Sequence, residues 1–214
     1  MSQDAGYRMQ DTGCKMQVRG IGERSVQALL DELAEGTATP GGGTAAALAG
    51  AMGAALLGMV CRLTIGRPRF ADVELELRAA LDEAEHLRAR LLELADADRE
   101  AFDAVMAAYR LPRKTAQECE VRRAAIQKAM KEATRVPLAT ARACAAVIRL
   151  AHRVIPKVNP NAVGDGRVAA LLAKAGLQGA QLNVTLNLTQ IADSEFVKVS
   201  EEELKQITAG LNDG

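Results

Sequence analysis

Tryptophan is missing from this 214-residue chain, and aromatic residues make up 2% of it. About half of the residues are apolar, but they are mostly Ala, Leu and Val. A core of such small aliphatics suits closely packed helices, and the length is enough to bury a real one. Charge of one sign is missing too. Lys+Arg and Asp+Glu balance at 27 each with no basic block, which argues against nucleic acid as a partner. No two of Cys14, Cys61, Cys119 and Cys144 form a CxxC pair. The last three fall in predicted helices among apolar residues, as small hydrophobes, and a reducing, cytoplasmic setting fits. His86 and His152 are isolated, so no zinc constellation and no metal site are expected. The N-terminus is polar through Arg24, so no signal peptide is expected. No stretch alternates with period two, which leaves an all-α fold of long antiparallel helices.

What is present begins with Thr39-Pro40-Gly41-Gly42-Gly43-Thr44, which opens an uncharged run to Cys61. Consecutive glycines let the backbone turn freely and let a ligand come close. The helix that follows turns its free N–H groups back on the loop, a place that attracts a carboxylate, a phosphate or an electron-rich ring. The run from Ala45 to Cys61 is near the length of a membrane span. Its Ala and Gly content, the glycine loop before it and Arg62, Arg67 and Arg69 after it favour a buried helix at a helix–helix contact instead. No membrane is expected as a partner, and the neighbour in that contact can belong to a second subunit.

Residues 1–24 lack periodicity and read as a loose tail; residues 25–214 read as one helical domain. Ser25 caps a helix to about Glu35. The buried helix runs from about Thr44 to Leu63 and is broken by Thr64-Ile65-Gly66-Arg67-Pro68. A long helix spans about Ala71 to Tyr109. Thr115 with Glu118 forms a capping box for the next, with Pro137 a kink or restart before a helix to about His152. A loop from Pro156 to Gly166 precedes a helix over about Arg167 to Leu188. Ser200 with Glu203 opens a last helix to about Ala209.

The long helix carries the sharpest signal. Leu77, Leu81, Ala84, Leu87, Leu91 and Leu94 form one face, and the next position in phase is Asp98, followed by Phe102, Val105 and Tyr109. Asp96 lies roughly 200° away, on the solvent side. A carboxylate on a buried face is costly unless paired, hydrogen-bonded or protonated, and burial raises its pKa toward what general acid work near neutral pH needs. A structural Asp paired with an arginine or a helix N-terminus is the plainer alternative. Asn183 and Asn187, four apart on one apolar helix, can read the amide edge of a heterocycle, cap a neighbouring helix or bridge subunits. Asp165 is placed to cap the helix it precedes. Arg67 and Arg69 either solvate the end of the buried helix or hold an anionic substrate tail.

Taken in order, these segments resemble the formiminotransferase-cyclodeaminase C-terminal family. They are Thr39 to Thr44, Met59-Val60 through Arg67, Asp96-Ala97-Asp98, Ala101-Phe102, Leu111-Pro112, Val136-Pro137-Leu138, Asn159-Pro160-Asn161, Asn183-Val184 and Asn187-Leu188. The resemblance covers about Ser25 to Phe196. It implies an all-helical subunit that dimerises through helix packing, acts on a tetrahydrofolate derivative and needs no prosthetic group. It implies a catalytic Asp98. The folate site would use Pro40, Gly41, Gly42, Gly43, Thr44 and Arg67, with Asp165, Asn183 and Asn187 as further candidates. The reaction implied first is conversion of 5-formiminotetrahydrofolate to 5,10-methenyltetrahydrofolate and ammonia. The alternatives are methenyltetrahydrofolate cyclohydrolase and a non-catalytic folate-binding helical oligomer. Departures from the family pattern gather in one loop: Val158 stands for Gly, Gly164 for Ser and Gly166 for an apolar residue. Thr44 stands for Ser and keeps the hydroxyl, and Pro68 interrupts a usually basic run. A transferase part is not expected, so neither is bifunctionality.

Overall fold

The computed structural model of the protein describes residues 20–209 and 211. Six α-helices carry the fold: α1 (Val26–Ala34), α2 (Gly42–Arg62), α3 (Glu74–Tyr109), α4 (Ala116–Val154), α5 (Val163–Leu188) and α6 (Ser194–Thr208). Among the described residues there is no strand. Four helices form an up-and-down bundle, and side-chain contacts fix each direction. α3 runs against α2, because Thr44 meets Asp98 while Arg62 meets Glu85. α4 runs against α3, because Arg122 meets Tyr109 while Arg153 meets Glu83. α5 runs against α4, with Asn187 on Ala133 at one end and Gly166 against Ile155 at the other.

The bundle closes through small residues. A Cβ on Gly176 would stand 2.6 Å from the Ala46 carbonyl oxygen, and one on Gly53 would stand 2.7 Å from that of Ala169. α2 and α5 therefore touch backbone to backbone. Gly50 at the centre makes room for side chains instead, since its Cβ would stand 2.6 Å from the Cys144 sulfur. Cys61 and Cys144 are fully buried, and burial pushes their thiols up to about 11 and about 12, as for small hydrophobes. Cys119 differs from that expectation. It is exposed in the first turn of α4, and its Sγ donates to the Arg113 carbonyl at 3.4 Å.

Several boundaries follow the local chemistry read from the sequence. The Ser25 hydroxyl accepts from the Ala28 N–H at 3.1 Å. Thr115 and Glu118 form the full capping box, at 3.1 and 2.9 Å. Gly66 takes the left-handed turn after α2, with φ of 79°.

Other boundaries correct the sequence reading. α4 passes through Pro137 without a restart. α5 begins at Val163, so Asp165 lies inside its first turn, favourable to the helix dipole, and is not its N-cap. α6 begins at Ser194 behind Asp193, whose carboxylate accepts from the N–H groups of Glu195 and Phe196. Ser200 is consequently mid-helix and buried, not a cap. The segment expected as a loop from Pro156 to Gly166 holds two short 3-10 turns instead. Of the expected tail over 1–24, residues 1–19 lie outside the described residues. Residues 20–24 are ordered, with Ile21 2% exposed in the core. Asp96 explains this. It faces this segment rather than open solvent and accepts from the Ile21 N–H at 2.9 Å.

α2 is, among the described residues, the one helix long and apolar enough to cross a membrane, and 61% of that window is buried. One side, including Ala47, Ala54, Leu57 and Val60, is packed in the core. The other side, from Ala45 through Met52 and Ala55 to Met59, is exposed and carries no charge until Arg62.

Candidate functional site

The glycine loop ends where α2 begins, and α2 begins against α3. Gly42, Gly43 and Thr44 form its first turn, with Gly41 as an N-cap that has no side chain to offer. The Thr39–Pro40 peptide before it is cis, and Pro40 is buried. Asp98 of α3 supplies the missing cap. The Thr44 hydroxyl donates to Asp98 Oδ2 at 2.9 Å, and the Thr44 backbone N–H donates to the same carboxylate. Gly43 leaves the room for this. A Cβ there would stand 2.1 Å from Asp98 Oδ1. The glycine is thus required by the carboxylate packed on it.

Two forces act on Asp98. Burial pushes its carboxyl above the ordinary value of 3.8, because the low-dielectric surroundings disfavour the charge. The two donors of Thr44 favour the carboxylate and offset part of the rise. The result is a carboxyl held in place and tuned upward, the two properties a proton-transfer group requires.

Asp98 opens onto a cavity of about 390 Å³, within the range of small-molecule sites. Ala38, Thr39 and Gly41 to Gly43 form one wall. Phe102, Val105, Met106 and Tyr109 continue the Asp98 face of α3, with Met130 and Ala133 from α4. Asn183, Asn187 and Gln190 close it from α5 and the turn after it. The sequence stripe had already aligned Phe102, Val105 and Tyr109 with Asp98. It gave no signal for Met106, Met130, Ala133 or Gln190, which reach the cavity only through the packing of α3, α4 and α5.

The two asparagines combine readings that the sequence left open. Asn183 Nδ2 donates to the Gly179 carbonyl of its own helix at 2.9 Å. Asn187 Nδ2 donates across to the Ala133 carbonyl of α4 at 3.0 Å. Both residues also line the cavity.

Arg67 and Asp165 are not brought to this cavity within one subunit. Arg67 lies beyond the C-terminal end of α2, and α2 is about 30 Å long. Asp165 begins α5, whose other end carries the asparagines. The candidate residues therefore divide between the two ends of the bundle. Pro40 to Thr44, Asp98, Asn183 and Asn187 are at one end, Arg67 and Asp165 at the other. At that far end Thr64 Oγ1 accepts from the Asn159 N–H at 3.0 Å and joins α2 to the turn before α5. The departures in this turn have different consequences. A side chain at Gly164 would meet open space, whereas a Cβ at Gly166 would stand 2.9 Å from Ile155 Cγ1.

Comparison with known proteins bears on the family and the fold. The sequence profile of the family described as Formiminotransferase-cyclodeaminase matches residues 25–206. The chain is 48% identical over 186 residues to the methenyltetrahydrofolate cyclohydrolase of Methylorubrum extorquens, covering 87% of this chain and 88% of that one. It is 30% identical over 201 residues to the formimidoyltransferase-cyclodeaminase of Rattus norvegicus, covering 94% of this chain and 37% of that protein. Among solved structures, the formiminotetrahydrofolate cyclodeaminase of Thermotoga maritima is similar, with a TM-score of 0.80 at 33% identity. That match covers 89% of this chain and 91% of that one.

Proposed function

The chain belongs to the formiminotransferase-cyclodeaminase family, and we propose that it is a folate one-carbon enzyme whose reaction is the cyclohydrolase one. The observation that carries the chemistry is Asp98, a half-buried carboxyl held by Thr44 on the wall of a ligand-sized cavity. The choice of reaction rests on the 48% identity, over nearly all of both chains, to a protein named methenyltetrahydrofolate cyclohydrolase. This reverses the order expected from sequence, where the cyclodeaminase stood first.

In this reading water attacks the bridging carbon of 5,10-methenyltetrahydrofolate. Asp98 accepts a proton from that water as the C–O bond forms. The carboxyl then returns the proton to N5 as the C–N5 bond breaks, and the hydroxyl proton leaves as the formyl C=O forms. The products are 10-formyltetrahydrofolate and one proton. A carboxylate whose basicity burial has raised suits the first step, and its protonated form suits the second.

The second reading, the cyclodeaminase, is supported by the solved structure at TM-score 0.80. There N10 of 5-formiminotetrahydrofolate attacks the formimino carbon. Asp98 would move a proton from N10 to the departing nitrogen, releasing ammonia. A direct assay separates the two. The protein is offered methenyltetrahydrofolate and its decay is followed, then 5-formiminotetrahydrofolate with ammonia and methenyl absorbance followed. Accelerated decay alone supports the cyclohydrolase, and ammonia with methenyl formation makes it a cyclodeaminase. Silence in both removes the enzyme reading.

The same reading includes a second copy of the chain. The uncharged side of α2 adjoins an exposed apolar stripe on α5, where Leu171, Leu182 and Leu186 are 65, 66 and 63% exposed. With Met52, Met59 and Val168 these side chains leave roughly 600 Å² of apolar surface in water, the upper limit for a monomer and most of what a stable interface buries per partner. A two-fold axis in that face, at right angles to the helices, would set the Arg67 end of one copy beside the Asp98 end of the other. Arg67 would then hold the anionic glutamate end of the folate from across the interface. A cytoplasmic setting belongs to this reading too, in keeping with the free thiols of Cys61, Cys119 and Cys144.

A further inference from the structure

We propose that Pro137 is a positioning residue for the site: it hands the Ala133 carbonyl to Asn187, so that Asn187 and Asn183 stand as paired acceptors for adjacent N–H donors on the substrate's ring. The recognition half of this proposal rests on the folate reading above.

In an unbroken α-helix the carbonyl of residue 133 accepts from the N–H of residue 137. Residue 137 is a proline, which has no N–H, and α4 runs on through it. The Ala133 carbonyl is thereby freed in a half-buried position facing α5. Asn187 takes it, 54 residues away, with Nδ2 at 3.0 Å. A freed carbonyl at that depth costs stability unless it is paired, so the proline and the asparagine are coupled through Ala133. The bond from Asn187 thus removes one of the two costs of an interior proline, the orphaned carbonyl.

The coupling reaches the cavity because Ala133 and Asn187 both line it. With its Nδ2 end bound to Ala133, the Asn187 amide has its Oδ1 at the opposite end. Asn183, one turn earlier on the same face, is fixed in the same sense by the Gly179 carbonyl at 2.9 Å. Each amide spends one of its two N–H groups on a backbone carbonyl and keeps its oxygen, so the pair offers two acceptors to a ligand edge that carries N–H donors. The 2-amino-4-oxopyrimidine edge of a pterin offers such donors side by side, at its 2-amino group and at N3. Asp98, on the facing helix, is left for the reacting carbon.

The test has two arms on the full chain. The first is a double-mutant cycle of Pro137→Ala and Asn187→Ala, read as the folding equilibrium constant in urea. With proline at 137, Asn187→Ala should lower that constant about tenfold, by orphaning a carbonyl. With alanine at 137 the restored N–H takes the carbonyl, and the loss should be clearly smaller. Additive effects overturn the coupling. The second arm uses calorimetry with 5-formyltetrahydrofolate and its counterpart bearing a methyl in place of the 2-amino group. The unaltered protein should prefer the amino compound by about tenfold, and both variants should narrow that preference. In the assay of the preferred reaction they should raise KM while kcat stays within about threefold, since neither residue touches the reacting atoms. An unchanged preference overturns the recognition role. If neither compound binds while the cycle remains coupled, the folate reading and the recognition role fall, and the Pro137–Asn187 coupling stands.

Discussion

The two ends of the bundle use polar residues in opposite ways. At the far end, Thr64, Asn159 and Asn161 satisfy one another, Thr64 Oγ1 accepting from Asn159 and Asn159 Oδ1 from Asn161. That end is a joint between α2 and the turn before α5. At the glycine-loop end, Asp98, Asn183 and Asn187 are also hydrogen-bonded to protein, Asp98 through the buried Thr44, yet each of the three remains on the wall of a cavity. A polar residue in a core is therefore not informative by its burial. It becomes informative when its partners fix it and still leave one atom facing space that a ligand can fill.

Asp98→Asn tests the difference most severely. It should lower turnover by about 10³-fold, within the range for loss of a general acid–base group, with helicity intact. The same variant has a stability signature of its own. A carboxyl whose folded pKa is raised contributes stability below its unfolded pKa and loses it as pH rises from about 3.8 through the folded value. Asp98→Asn should therefore match the unaltered protein in acid and exceed its melting temperature at neutral pH. A melting-temperature profile against pH checks this. A gap that stays constant across that window would mean that burial does not set the Asp98 carboxyl.

Gly43→Ala comes next. Its Cβ would land on Asp98 Oδ1 and force the carboxylate to move. A misplacement of that size should cost about 10²-fold in kcat, with overpacking costing about 1–3 kcal/mol of stability. Kinetics alongside urea denaturation separate the two effects. A fully active Gly43→Ala would show that the carboxylate position is unimportant.

Mixing then decides whether the far end serves a site at all. In the proposed dimer, Asp98→Asn and Arg67→Ala are each expected to be weak on their own. Co-refolded in equal amounts, they should recover about a quarter of full activity. Half of the dimers would be mixed, and each mixed dimer would pair an intact Asp98 with an intact Arg67 at one of two sites. No recovery would confine the site to one subunit. A glutamate at Leu182 should abolish the recovery by splitting the dimer, seen in sedimentation, while leaving monomer stability within about 0.5 kcal/mol.

The smallest effect is expected of Gly164→Ser, in the first turn of α5 with open space around it. It should stabilise by a few tenths to about 1 kcal/mol, by removing glycine's excess backbone entropy. A change in KM as well would tie the turn to a site on a second copy.

Much of this was legible in the sequence because it is local. The caps at Ser25 and Thr115 and the phase that aligned Asp98 with Phe102, Val105 and Tyr109 depend on residues three or four apart, and the helix repeat alone relates them. The boundaries that moved are those where a local signal had a rival. Asp193 outcompeted Ser200 as a cap, and Asn187 compensated for Pro137 from another helix. The resemblance grouped Gly41 to Gly43, Asp98, Asn183 and Asn187, which the fold brings to one cavity, with Pro40 and Thr44, which lie behind its wall, and with Arg67 and Asp165, which one subunit holds a helix length away.

The sequence by itself determined that the chain is helical, where most helices start, and that Asp98 belongs to the inner face of α3. Tertiary structure decided what Asp98 touches. Periodicity gives the direction of a side chain but not the element waiting there. That element is the first turn of α2, brought onto α3 because Gly43 leaves room for a carboxylate. Tertiary structure also gave Pro137 a partner, since a missing N–H is visible in one residue while the group that replaces it comes from a helix 50 positions later.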